Sequence, residues 1–393
     1  MLINFDHMID RRNTGATKWD NRGALFGEKD ILPMWIADMD FPSPAAVAEA
    51  VKRRAGHPIF GYTEIPGSYN DAVIRWMKRR NGWAINEKWI VHTPGVVTSI
   101  KIAILAYTDI NDKILIQSPV YYPFYSCITS NDRQLVVNPL KLKGGAYRID
   151  FDDLEDKLRN GVKMMILCSP HNPVGRVWEK EELNQVAGLC IKYNVLLLSD
   201  EIHSDLIYDG SRHIPAAALS EEILQNSVTC ISPTKTFNLA GLAESMAIIP
   251  NSELRSRFQI VLKKVGADML NIFGAVAAEA AYTHGEAWLE ELMDYLSANM
   301  ELILDTFRQK IPSVKVIRPE GTYLAWMDCR EIAESAGELK EFFARQAGVG
   351  LSDGAIFGKD GAGFQRMNFA CPRSLLTEGL QRIEDAVLKL KRY

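Results

Sequence analysis

Residues 163–201 read "KMMILCSPHNPVGRVWEKEELNQVAGLCIKYNVLLLSDE". Two short apolar runs, Met164–Cys168 and Val195–Leu198, each give way to polar or turn residues. Between them "EKEELNQVAGLCIKYN" is acidic at its start, basic near its end and apolar at helical spacing, so it reads as a helix. The order is strand, helix, strand. Strands this uniformly apolar are buried on both faces, and joining them through helices gives a parallel sheet covered by helices.

Outward from this unit the alternation continues. "KILIQSP" (113–119) and "SVTCI" (227–231) repeat the strand pattern, while "PAAVAEAVKRRAG" (44–56) and "SYNDAVIRWMKRRNG" (68–82) read as amphipathic helices. Ligands of such sheets sit at the carboxyl ends of the strands. Here those ends lead into Ser118 and Pro119, Ser169 to Gly175, Asp200 to His203, and Ser232 to Lys235. After about residue 285 comes a long helical stretch, "EAWLEELMDYLSANMELILDTFRQK", then short strand candidates "VKVI", "YLAWMD" and "RMNFA" among further helices. The expected organisation is an N-terminal segment 1–45 packed on a smaller domain, a large α/β domain 46–285 with a mainly parallel sheet, and a smaller α+β domain 286–393.

The 393 residues suffice for a large core that divides, since single cores stop growing beyond roughly 250 to 300 residues. A formal net charge of −4 gives no sign of nucleic acid binding. "MLINFDHMIDRR" meets charge too early for a signal-peptide core, and no apolar run approaches the roughly 18 residues that span a bilayer. A cytoplasmic enzyme is expected. The six cysteines are scattered without a CxxC pair and read as reduced core residues.

Lys235 stands in "SPTKTFNLAGL" among small, hydroxylated and apolar residues. A lysine in a partly desolvated, cation-rich pocket has a lowered pKa and forms a Schiff base with a carbonyl compound. Ser232, three residues earlier, offers a hydroxyl to an anion. Asp200 in "LLLSDEIHSD" follows an apolar strand, where burying a carboxylate demands a cationic or hydrogen-bonding partner. A protonated pyridine nitrogen meets that demand and becomes an electron sink. Asn172, in the rigid turn "CSPHNPVG", has a side chain able to donate to a phenolate or to its own backbone. Asp200, His203 and Asp205 lack the ligand spacing of a metal site, and no metal is expected.

Asn172 in "NPVG", Asp200 in "SDEIH" and Lys235 in "SPTK" resemble, in order and spacing, the fold type I pyridoxal-phosphate enzymes of the aspartate aminotransferase superfamily. Within it "PMWIADMDFPSP", "FGYTEIPG", "SPVYYPF", "SPHNPVGRVW", "SDEIHSDLIY" and "SPTKTFNLAGL" are similar to the MalY/PatB group of cystathionine β-lyases, also called cysteine-S-conjugate β-lyases.

That resemblance implies pyridoxal 5'-phosphate as cofactor, Lys235 as the lysine that binds its aldehyde and later moves the Cα proton, and Asp200 against the pyridinium nitrogen. It places Asn172 at the ring hydroxyl and His203 close to the cofactor, at a position where many aminotransferases have a tyrosine. Tyr121 stacks on the ring, Tyr122 points toward substrate, and Arg366 grips the α-carboxylate with two prongs. Phosphate is assigned to the first NH groups of a helix at Val96 and Val97, to Ser232, and to Tyr62 reaching across from a second subunit. Eight positions beyond the lysine, where many relatives have a phosphate-gripping arginine, stands Ala243. Dimerisation with shared sites follows, as does α,β-elimination of L-cystathionine and related S-conjugates to thiol, pyruvate and ammonia. The alternatives are an aminotransferase and a binding or regulatory protein on the same scaffold, because members of the group also bind a transcriptional activator.

Overall fold

The computed structural model describes residues 3–28, 30–333 and 335–390; the ends of the expected first and last segments, 1–2 and 391–393, lie outside the described residues. The large sheet has seven strands. In chain order they are β1 (Ile90–Thr93), β2 (Lys113–Ser118), β3 (Gln134–Pro139), β4 (Val162–Cys168), β5 (Leu196–Asp200), β6 (Ser227–Ile231) and β7 (Ser245–Ile248). Their spatial order is β1-β7-β6-β5-β4-β2-β3. The run from β6 to β3 is parallel throughout, and β7 alone is reversed, pairing antiparallel with both β6 and β1.

Alternate residues of the central strands point to opposite faces. Ile114, Ile116, Met164, Ile166 and Leu198 join one apolar cluster, against helices that include Val96–Tyr107 and Ser252–Lys264. Leu115, Met165, Leu167 and Leu197 join another, against helix Lys180–Lys192. That helix starts on a capping box formed by Glu179 and Glu182, which satisfies donors at its first turn. Both faces are therefore dry, as the unbroken apolar runs require. All six cysteines are free and buried.

A second sheet of four antiparallel strands, Lys315–Ile317, Leu324–Asp328, Phe364–Asn368 and Ser352–Asp353 in spatial order, follows the 25-residue helix Glu286–Lys310. The N-terminal stretch forms a separate two-stranded sheet, in which Leu32 and Pro33 pair in parallel with Val349 and Gly350. Among the described residues no helix is long and apolar enough to cross a membrane.

Candidate active site

The register of the large sheet brings the chemistry to one edge. Cys168, Asp200 and Cys230 are direct neighbours across β4, β5 and β6, so the Asp200 carboxylate emerges between two thiols with no charge of their own. The turns leaving β1, β2, β4, β5 and β6 carry Gly95, Tyr121, Asn172, His203 and Lys235, and reversed β7 starts at the same edge just after Ala243 and Glu244. These residues line one cavity of about 620 Å3, within the size range of small-molecule sites. Val96, Val97, Tyr122 and Arg366 share its wall.

Burial is the main electrostatic force here. It pushes the Asp200 carboxyl up to about 7; the Ile202 NH, 3.2 Å from Oδ1, and the charge of Lys235 oppose it only in part. It lowers Lys235 to about 8, with the Arg366 charge adding to the effect while Asp38 and Asp200 resist it. His203 falls to about 3, by burial and then by the charges of Lys235 and Arg366, and its Nδ1 is buried without a partner. The imidazole is neutral at physiological pH. Tyr121 is pushed above the usual phenol range, again by burial first.

Arg366 is fixed from several sides. Its Nη1 donates to Asn172 Oδ1 (2.9 Å), its Nη2 to the Trp35 carbonyl (2.9 Å) and to Ser352 Oγ (3.2 Å), and its guanidinium lies 4.7 Å over the Phe357 ring. Burial lowers it to about 10, which leaves it charged at neutral pH. Asn172 keeps its amide nitrogen for the cavity. Its turn is fixed by Gly175, whose φ of +76° and approach to Pro319 exclude a side chain.

The structure also shows a participant within "PMWIADMDFPSP" to which the resemblance assigned no role. Residues 35–41, "WIADMDF", run past the site with their backbone held by side chains. Lys235 Nζ donates to the Ala37 carbonyl (2.7 Å), which also accepts from the buried Tyr323 hydroxyl (3.0 Å). Asn368 donates to Ile36 and Asp38, and Asn238 binds Met39 and Phe41. Beneath them Asp40 is buried, which alone would raise its pKa, yet Lys18 at 2.6 Å, Trp19 and Arg11 hold it below the ordinary carboxylate range. The run mixes polar and apolar residues with no regular period, so only the folded chain reveals the strap.

Two sequence-predicted residues stand apart from the cavity wall. Ser232 caps its own short helix: its Oγ contacts Thr234 Oγ1 (2.7 Å), donates to the Glu244 carbonyl (2.6 Å) and accepts from the Thr234 NH (3.1 Å). Thr234, not Ser232, lines the cavity. Tyr62 is 98% exposed and lies outside it. Asp205 does not join His203; it accepts from Trp76 Nε1 (3.0 Å) and Thr236 Oγ1 (2.9 Å). Glu244, unforeseen in the sequence, lines the cavity beside Ala243, with Oε1 bonded by Tyr69 (3.1 Å) and 3.2 Å from His92 Nδ1.

These donors fit pyridoxal phosphate. Asp200 is a buried carboxylate with a hydrogen bond from the Ile202 NH, and a protonated pyridine nitrogen would offset the burial that raises its pKa. Lys235 is a nearby amine of lowered pKa. The helix Val96–Tyr107 opens toward the cavity with no side-chain cap, after Gly95 at φ 117°, which suits an anion on its free NH groups.

Comparison with known proteins agrees. The family model described as aminotransferase class I and II matches residues 29–383. Cystathionine beta-lyase PatB of Bacillus subtilis is 44% identical over 386 residues, covering 98% of this chain and all of that protein. Protein MalY of Escherichia coli is 32% identical, covering 98% and 99%. The crystal structure of cystalysin from Treponema denticola, which contains a pyridoxal 5'-phosphate cofactor, superposes with a TM-score of 0.96 at 35% identity, over 99% of this chain and all of that one.

Proposed function

Because the chain belongs to the aminotransferase class I and II family, we propose that it is a pyridoxal-phosphate-dependent carbon–sulfur β-lyase. It takes an L-cysteine S-conjugate, L-cystathionine among them, and water, and yields thiol, pyruvate and ammonia. One observation carries the choice of elimination over transamination: the 44% identity to cystathionine beta-lyase PatB along essentially the whole of both chains. Asp200, Asn172, Lys235 and Arg366 serve either reaction.

Pyridoxal phosphate, when bound, supplies an aldehyde that links to amino groups and a ring that accepts the electron pair left at Cα. The protein does the rest. Arg366, immobilised by Asn172, Trp35, Ser352 and Phe357, holds the α-carboxylate in one orientation. Asp200 keeps the ring nitrogen protonated. Lys235, its pKa brought near neutrality by burial, removes the Cα proton and returns it to the departing sulfur. The Ala37 carbonyl, 2.7 Å from Nζ, holds that amine in place. His203, neutral at physiological pH, would lie close to the cofactor and add no charge there. Val96 and Val97 NH groups bind phosphate.

The working unit in this reading is a cytoplasmic homodimer. Tyr62, with Ile59 and Phe60 exposed beside it, belongs to the partner's phosphate site and accounts for an exposed aromatic run in "IFGYTE". The test of the reaction is release of pyruvate from L-cystathionine by holoenzyme with no keto acid added. Strict dependence on a keto acid acceptor rejects it in favour of an aminotransferase.

A further inference from the structure

The carbonyl that holds Lys235 is itself braced from the second sheet. Its oxygen, on Ala37, has two lone pairs and both are engaged: Lys235 Nζ donates at 2.7 Å and the Tyr323 hydroxyl at 3.0 Å. Tyr323 is fully buried, and its ring meets His203 edge-on with centroids 5.9 Å apart. One side chain therefore touches both the strap that holds the amine and the imidazole beside the cofactor position. Tyr323 stands outside the cavity wall, so whatever it does there it does through these neighbours.

The chain is strained to bring Tyr323 there. Thr322, immediately before it, is buried at a φ of +71°, in the left-handed region where a β-branched residue is an outlier. Strain of this kind persists only where the surroundings over-determine the backbone. Here they do. The Glu320 and Gly321 NH groups both donate to the Gly175 carbonyl, at 2.8 and 3.1 Å, which fastens the segment to the Asn172 turn. The Thr322 NH donates to the Leu206 carbonyl at 2.8 Å and the Glu320 carbonyl accepts from the Tyr208 NH at 3.0 Å, which fastens it to the turn that carries His203. At Gly321 a Cβ would stand 2.9 Å from the Leu206 carbonyl oxygen, so the contact is too close for a side chain. Residues 320–323 thus tie two turns of the large domain to the strap, and the Tyr323 hydroxyl is the last link.

We propose that Tyr323 is a positioning residue for proton transfer at Lys235: by occupying one lone pair of the Ala37 carbonyl it fixes the direction of the other, and with it the place where the free ε-amine waits to move the Cα proton. This role deepens the proposed function and rests on Lys235 as the base, not on whether a thiol or a keto acid is the product. The hydroxyl has a second effect. A carbonyl shared between two donors binds each less strongly, so losing the hydroxyl tightens its hold on the ammonium form and raises the pKa of the amine. The charges that face the amine are Asp38 on the strap, Asp200 after β5 and Arg366 on the second sheet. None of them is altered when only the Tyr323 hydroxyl is removed.

Tyr323→Phe keeps the ring and its contact with His203 and removes only the hydroxyl. In the cofactor-free protein, carbamylation of Lys235 by cyanate, followed through the mass of its peptide from about pH 6 to 10, reads the pKa of that one amine. The midpoint is expected to rise by roughly 0.4 to 1 pH unit in the variant, the equivalent of one ordinary hydrogen bond. In the holoenzyme, exchange of the Cα proton of L-alanine for solvent deuterium follows the same amine with no leaving group present, so it is read alike in a lyase and an aminotransferase. Its rate at saturating L-alanine is expected to fall roughly three- to tenfold, with half-saturation within about twofold because Arg366 keeps its own contacts. A purely structural brace would lower the melting temperature or the cofactor occupancy and leave the cyanate midpoint unmoved. That result, or an unchanged exchange rate per bound cofactor, overturns the role of Tyr323. Absence of exchange in the wild type counts against Lys235 as the base, and the cyanate midpoint, which needs no turnover, then decides whether the hydroxyl governs the amine.

Discussion

Asp200→Asn separates what the site costs from what it does. In the protein without cofactor, burial holds the Asp200 carboxyl at about 7 against an ordinary 3.8. At about 1.4 kcal/mol per pH unit, that difference amounts to roughly 4 kcal/mol. The sign follows from linkage. A folded-state pKa above the unfolded one gives stability that is present below pH 4 and lost as pH rises toward 7, where the unfolded chain has released its proton and the folded one has not. Asparagine has the same shape and can still accept from the Ile202 NH, but it does not titrate. The cofactor-free variant should therefore gain on the wild type as pH rises from 4 to 7, with a plateau above 7 and a total relative gain of roughly 4 kcal/mol. Turnover should fall by orders of magnitude, because the ring nitrogen loses the anion that keeps it protonated. Urea unfolding of both cofactor-free proteins at pH 5, 6, 7 and 8 gives the comparison. A stability difference that is flat with pH, or that moves against the variant, would show that burial does not raise the Asp200 carboxyl.

Other consequences are as definite. Arg366→Lys keeps the charge but loses the planar fork, so kcat/KM should fall by roughly 30- to 150-fold, the equivalent of about 2 to 3 kcal/mol, mostly through KM; a change under fivefold in steady-state kinetics contradicts the anchor. Asn238→Ala removes the contacts to Met39 and Phe41 and puts alanine at a φ of 59°, and should cost roughly 2 to 4 kcal/mol in chemical denaturation. Asn238→Gly, free of the φ penalty, should lose about 1 kcal/mol less, and equal losses would deny that the left-handed backbone matters. Mixing inactive Lys235→Ala subunits with Tyr62→Ala subunits should recover turnover above either parent, since one site per mixed dimer then holds both residues. No recovery after verified subunit exchange means Tyr62 serves its own subunit or none.

The parts of this molecule legible in the sequence are those with local signals. Strand β5 ends in Asp200 because a run of leucines must stop where polar chemistry begins, and Lys235 follows β6 by the same logic. The long helix Glu286–Lys310 shows its apolar period in one dimension. What stayed hidden depends on tertiary placement. The Ala37 carbonyl is a backbone atom of an unremarkable alanine, and Tyr323 reaches it across 286 residues. The sequence offers the Ser232 hydroxyl to an anion, and only the fold shows the partners it has within the turn that presents Lys235. The reversed strand β7 was equally out of reach, because an apolar run carries no direction.

Elimination of a thiol, and not exchange of an amino group, is the chemistry proposed for these residues. Its most direct measurement is a mass balance on holoenzyme incubated with S-butyl-L-cysteine and with L-cystathionine in the absence of any keto acid, following thiol, pyruvate and ammonia together. The three are expected in equal amounts over many turnovers per active site. Products that stop at one equivalent per site, and resume only when a keto acid is added, would contradict it.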